Sequence, residues 1–151
     1  MLSALIRVAI PLVLAASLAA CSSGGALSPG LAARMDVPGA QLNRVEAIGI
    51  VNNYRSTNGA SPLTEDAGLD ATAQALATEY AKTGKQPAKP AGATQIRYSA
   101  GYFTFAETFS GWRNSAADAA ALVDKGATKA GVASIYDANS PYGVYWVLIL
   151  G

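Results

Sequence analysis

The chain contains no histidine, and that count removes more chemistry than any residue present supplies. Ser61, Ser99 and Ser115 have no imidazole to activate them, so a Ser-His-Asp nucleophile cannot be assembled. Zinc sites of the usual make-up lose their nitrogen ligands, and no imidazole can act as a switch near neutral pH. The single cysteine, Cys21, excludes an intrachain disulfide. Hydrolytic chemistry would have to come from carboxylates alone. Such pairs work only at defined separations and with pKa values pushed apart.

Cys21 closes a patterned N-terminus. Arg7 is followed by an apolar run from Val8 to Ala20, interrupted only by Pro11 and Ser17. A membrane-spanning helix needs about 20 apolar residues, and this run is shorter, as in a signal peptide. Leu18-Ala19-Ala20-Cys21 resembles a bacterial lipobox. The resemblance implies removal of residues 1–20, a diacylglycerol on the Cys21 sulfur and an acyl chain on its amine. More than one chain gives stable anchoring, since each buried methylene contributes about 0.8 kcal/mol. The partner implied is a membrane, reached through the lipid. The location implied is the bacterial cell envelope, with the periplasmic face of the outer membrane favoured in a Gram-negative cell because Ser22 follows the cysteine.

The rest of the chain suits one domain. A formal net charge of +1 offers no basic face to a nucleic acid. Residues 21–43, rich in Ser, Gly, Ala and Pro, read as the lipidated cysteine and a flexible tether. In 44–57, Val45, Ile48, Val51 and Tyr54 recur at helical spacing, and Asn58-Gly59 stops the helix. Thr64 is a candidate N-cap for a helix over 65–83, with Asp66 near its start and Leu69, Ala73, Leu76 and Tyr80 on one stripe. Prolines and a glycine make 85–95 a loop. Ile96-Arg97-Tyr98 reads as a short strand, and 105–111 as a helical turn. Ser115 caps a further helix that closes at Lys125-Gly126. Ala130–Tyr136 and Tyr142–Leu150 read as strands around a turn at 137–141. The second is apolar throughout, as a strand covered on both faces would be. Helices followed by a terminal hairpin give an α+β domain over 44–151.

The punctuation of these elements resembles the CAP superfamily, or SCP-like domains, in its bacterial branch. The residues that carry the likeness are Asn52, Arg55, Gly59, Pro62, Leu63, Asp66, Leu69 and Ala73. In the second half they are Glu107, Trp112, Ser115, Leu122, Gly131-Val132-Ala133 and Tyr145-Trp146. The resemblance implies a three-layer α-β-α sandwich with a cleft, whose candidate lining here is Asn52, Arg55, Glu107, Trp112 and Asp118. Typical members line that cleft with two histidines and two glutamates, and some hold a divalent cation. Asp118 stands in place of the second histidine, Lys85 and Gln86 lie where the first belongs, and the Gly-Glu-Asn segment is replaced by Ser99-Ala100-Gly101-Tyr102. Only Glu107 survives, and two carboxylates fall short of the six to eight oxygens calcium prefers. No metal or cofactor is therefore expected.

The expected function is a non-enzymatic, lipid-anchored CAP module. It would bind a small apolar or lipid-like ligand in its cleft, or an envelope protein on its surface. Tyr98, Tyr102, Phe103, Phe105 and Phe109, with Phe103 and Phe105 alternating as on one strand face, read as core packing, the alternative being an apolar groove for a lipid or a partner peptide. The alternatives are a degenerate hydrolase or protease working through Glu107 and Asp118, and a purely structural envelope module. Asn52 and Arg55 are also the pair that would tie a helix to neighbouring backbone.

Overall fold

A computed structural model describes residues 25–151; Cys21 and the signal-like segment lie outside the described residues. The elements are α1 (Pro29–Ala32), α2 (Arg44–Thr57), β1 (Thr64–Glu65), α3 (Ala67–Thr83), β2 (Gln95–Ala100), α4 (Phe105–Asn114), α5 (Ala116–Leu122), β3 (Lys129–Tyr136) and β4 (Val144–Leu150).

The sheet runs in the order β1-β3-β4-β2. β1 is parallel to β3, while β3 and β2 flank β4 in antiparallel registers. All seven β4 residues are buried, because alternate side chains enter opposite layers. Val144, Trp146, Leu148 and Leu150 pack against α2, α4 and α5. Tyr145, Val147 and Ile149 pack against α3. This is an α-β-α sandwich, as the CAP resemblance implies.

Small residues let α3 lie close to the sheet. Ala73 and Ala77 are fully buried, and a Cβ added at Gly131 would run into the Leu69 and Asp70 backbone. The approach brings Asp70 Oδ1 to 2.8 Å from the Val132 N–H, which donates to it. Arg44 Nε donates to the Val132 carbonyl at 3.0 Å.

Four local expectations are corrected. Asp66, not Thr64, caps α3, its side chain accepting from the Leu69 N–H at 3.0 Å; Thr64 and Glu65 pair with β3 instead. Val45 is 73 % exposed, because the buried stripe of α2 runs through Ala47, Ile48, Val51 and Arg55. Phe103 and Phe105 do not share a strand face: Phe103 is exposed and Phe105 is buried in the first turn of α4.

The fourth concerns the tether, which from Ser28 onward is docked on the domain. Leu31 and Met35 are buried in the main core, each worth about 1.5–3 kcal/mol when fully covered. Ser28 Oγ donates to Glu46 Oε2 at 2.6 Å, and the Met35 N–H donates to the Phe103 carbonyl at 2.8 Å. Gly30 permits this fit, since a Cβ there would meet the Glu46 carboxylate and Asn43 Cβ.

Candidate functional site

Each of the five cleft candidates bonds through its side chain to its own partners, and only Arg55 and the Asp118–Arg97–Gln95 chain meet, at Asp124. Asn52 and Arg55 sit one turn apart on α2 and hold the loops behind it. Asn52 forms a two-way pair with Leu63, Nδ2 donating to the carbonyl at 2.9 Å and Oδ1 accepting from the N–H at 2.7 Å. Arg55 is fully buried. Its guanidinium donates to the carbonyls of Ser61 (2.8 Å), Leu122 (2.8 Å), Asp124 (3.0 Å) and Ala127 (3.2 Å). Burial pushes its pKa below the ordinary value, and the Asp124 charge acts in the opposite sense. Four carbonyl acceptors offset the desolvation of the cation.

Glu107 completes a capping box at the start of α4. Its Oε2 accepts from the Phe103 N–H (3.1 Å), the Thr104 N–H (3.0 Å) and Thr104 Oγ1 (3.0 Å). Thr104 Oγ1 in turn accepts from the Glu107 N–H at 3.2 Å. This reciprocal arrangement satisfies donors that a helix start leaves without partners.

Asp118 occupies the first turn of α5, where Ser115 is the N-cap. Its Oδ1 lies 3.3 Å from Arg97 Nη1 on β2. Arg97 Nη2 donates to Gln95 Oε1 at 2.9 Å, and Gln95 Nε2 donates to Asp124 Oδ2 at 2.8 Å. The Gly126 N–H donates to the other Asp124 oxygen at 2.8 Å. The Gln95 amide first, and the Gly126 N–H second, hold the Asp124 carboxyl below its ordinary pKa. Glu107 and Asp118 share no hydrogen-bond partner, so no proton-sharing dyad forms. Arg97 and Gln95 are the residues that sequence reasoning missed. The available signal was alternation: flanked by Ile96 and Tyr98, Arg97 must face the opposite layer.

Trp112 is buried, with Nε1 donating to the Tyr98 carbonyl at 2.9 Å, and its ring meets Phe105 edge-on at 6.1 Å. Phe109 packs on Phe105 and Tyr54. Tyr98 sits between Tyr80 and the Pro87 carbonyl, to which its hydroxyl donates at 2.8 Å; burial, then the Glu79 charge, pushes its pKa to about 12. Phe105, Phe109 and Trp112 are thus core, as the packing reading has it, and the alternative, an aromatic groove, is filled there by its own side chains. Tyr102 and Phe103 remain exposed, Phe103 beneath the Arg34 guanidinium at 4.9 Å.

Two open cavities lie elsewhere. One of about 400 Å³ is lined by residues including Val37, Gln41, Arg44, Gln74, Ser134 and Tyr136. Another of about 420 Å³ is bordered by Leu27, Leu31, Glu46, Gly49, Ile50 and Asn53. None of the five cleft candidates lines either. Among the described residues no group of three His, Cys, Asp or Glu could hold a metal ion. No described helix is long and apolar enough to cross a membrane.

Comparison with solved structures returns the same architecture. Similar chains include MpPR-1i (17 % identity, 71 % of this chain and 84 % of that one, TM-score 0.58). An outer surface protein of Borrelia burgdorferi is similar at 16 % identity over 74 % of this chain and 97 % of that one, TM-score 0.56. A cysteine-rich secretory protein of Staphylococcus aureus subsp. aureus Mu50 matches at 14 % identity over 70 % of this chain and 37 % of that one, TM-score 0.52. At such identities the likeness is one of fold. No curated protein sequence matches the chain. Residues 48–150 match the family described as CAP, the cysteine-rich secretory protein family, and the chain belongs to that family.

Proposed function

We propose that this CAP protein is a non-enzymatic, partner-binding module of the bacterial cell envelope, held to a membrane by lipid on Cys21. The carrying observation is the commitment of its two site carboxylates. Asp118 is paired with Arg97, and Glu107 accepts three hydrogen bonds in a helix cap. General acid–base work needs a carboxyl poised to exchange a proton within reach of a substrate, and each of these is tied to its own fold element. The filled aromatic core favours a protein partner over an apolar small ligand. The Borrelia outer surface protein of like fold supports an envelope setting, as does the lipobox-like Leu18–Cys21. Fold alone is weak evidence of function, so the residues carry the reading.

Fractionating cells that express the wild type or Cys21→Ser tests the anchor. The wild type is expected in the detergent-soluble membrane fraction and the variant in the aqueous fraction. Equal partition of the two overturns the anchoring.

A further inference from the structure

The outer edge of β3 is only half covered. Lys129 and Gly151 exchange both main-chain hydrogen bonds, and the Asp137 N–H donates to the Gly143 carbonyl. In an antiparallel ladder this phase makes the odd residues of β3 face β4 and the even ones face away. Of the outward residues, Ala130 accepts from the Asp66 N–H. Val132 is satisfied at both ends by Asp70 and Arg44 side chains. Among the described residues, the N–H and C=O groups of Ser134 and Tyr136 have no partner. They border the cavity of about 400 Å³, which the Val37–Leu42 stretch also lines. That stretch makes no main-chain hydrogen bond to the strand.

The occupant is specified by this chemistry. Two pairs of outward main-chain groups, spaced as in a strand, match an extended peptide. Among the described residues, Arg44 is the only charged one lining the cavity. Its Nε is spent on Val132, while its Nη atoms have no hydrogen-bond partner among the described residues, although Asp70 lies 3.5 Å from Nε. We propose that the β3 edge at Ser134–Tyr136 receives an extended peptide segment of a partner protein by strand addition, with an acidic group of that segment meeting Arg44. The inference deepens the partner-binding reading and does not require the lipid anchor.

The probe is a random heptapeptide library displayed on phage. It is panned on the purified full-length protein in detergent and depleted on Ser134→Pro. The substituted nitrogen faces away from β4, so the inner ladder is kept, and circular dichroism checks the variant's fold. Enriched peptides are expected to carry Asp or Glu and to slow amide hydrogen exchange at Ser134 and Tyr136. They should weaken about tenfold for each ladder donor removed by N-methylation at alternate positions. They should also weaken on Arg44→Gln. If Ser134→Pro fails to fold, the N-methyl series on the wild type decides alone. No enrichment, binding that survives alternate N-methylation, or edge protection that rises with protein concentration through pairing of two copies would each overturn the proposal. Those outcomes leave membrane fractionation, and so the anchor, untouched.

Discussion

Arg97 of β2 and Asp118 of α5 face each other across the joint between sheet and helix, Nη1 lying 3.3 Å from Oδ1. The position where the CAP likeness leads one to expect a second histidine therefore holds half of an ion pair. A family histidine there would be free to ligate or to move a proton, whereas the aspartate is matched to a guanidinium that also binds Gln95. The side chains keep 24 % and 29 % of their exposure, so solvent screens the pair and its net worth is modest. A double-mutant cycle of Arg97→Met and Asp118→Asn, read by urea unfolding, is expected to show about 0.5–1 kcal/mol of coupling. Zero coupling would mean that the contact does not persist in solution.

Arg55 is where stability is most exposed to substitution. Arg55→Leu removes a buried cation and strands the carbonyls of Ser61, Leu122, Asp124 and Ala127. The expected loss is about 3–5 kcal/mol. Arg55→Lys should recover only part, because an ammonium cannot reproduce the planar fork. Thermal unfolding of the two variants checks both expectations; a near-neutral Arg55→Leu would contradict the structural role.

Glu107 gives a contrast between capping and chemistry. Thr104→Ala, which removes the N-cap oxygen, should cost about 1 kcal/mol. Glu107→Gln should cost much less, since the amide oxygen can still accept from Phe103 and Thr104. Urea midpoints of the two variants measure this. A Gln variant as damaged as the Thr104 variant would show that the charge, not the cap, is what the site needs.

Much of the fold was legible because it rests on short-range signals. The bounds of α2, the apolar β4 and the hairpin between β3 and β4 follow from periodicity and turn residues. The start of α3 was misplaced because Thr64 and Asp66 are both good caps, and only the pairing of Thr64–Glu65 with β3 separates them. The docked segment after Ser28 was missed since Ser, Gly, Ala and Pro dominate it; the signal was Leu31 and Met35, four apart. At the site, residue identities were readable but pairings were not. Nothing local links Arg97 to Asp118 or Arg55 to Ala127; those contacts are created when the sheet closes.

Acid should loosen the β2–α5 joint through Asp124. Its folded pKa is depressed below the ordinary value of 3.8 by the Gln95 amide and the Gly126 N–H. A group lowered on folding lends stability that is full above its unfolded pKa and is lost as pH falls through the folded one. Stability should therefore drop as pH falls below 3.8, with a shallower slope in Asp124→Asn. Chemical unfolding across that window measures the difference; identical slopes would remove Asp124 from the account.

The intact mass of the protein purified from detergent extracts of the cells that make it is the most direct test of the proposed lipid anchor. A polypeptide beginning at Cys21, bearing a diacylglycerol and an amide-linked acyl chain, is the predicted result. A chain that retains residues 1–20, or begins after Ala20 with an unmodified thiol, would contradict an envelope module held by lipid.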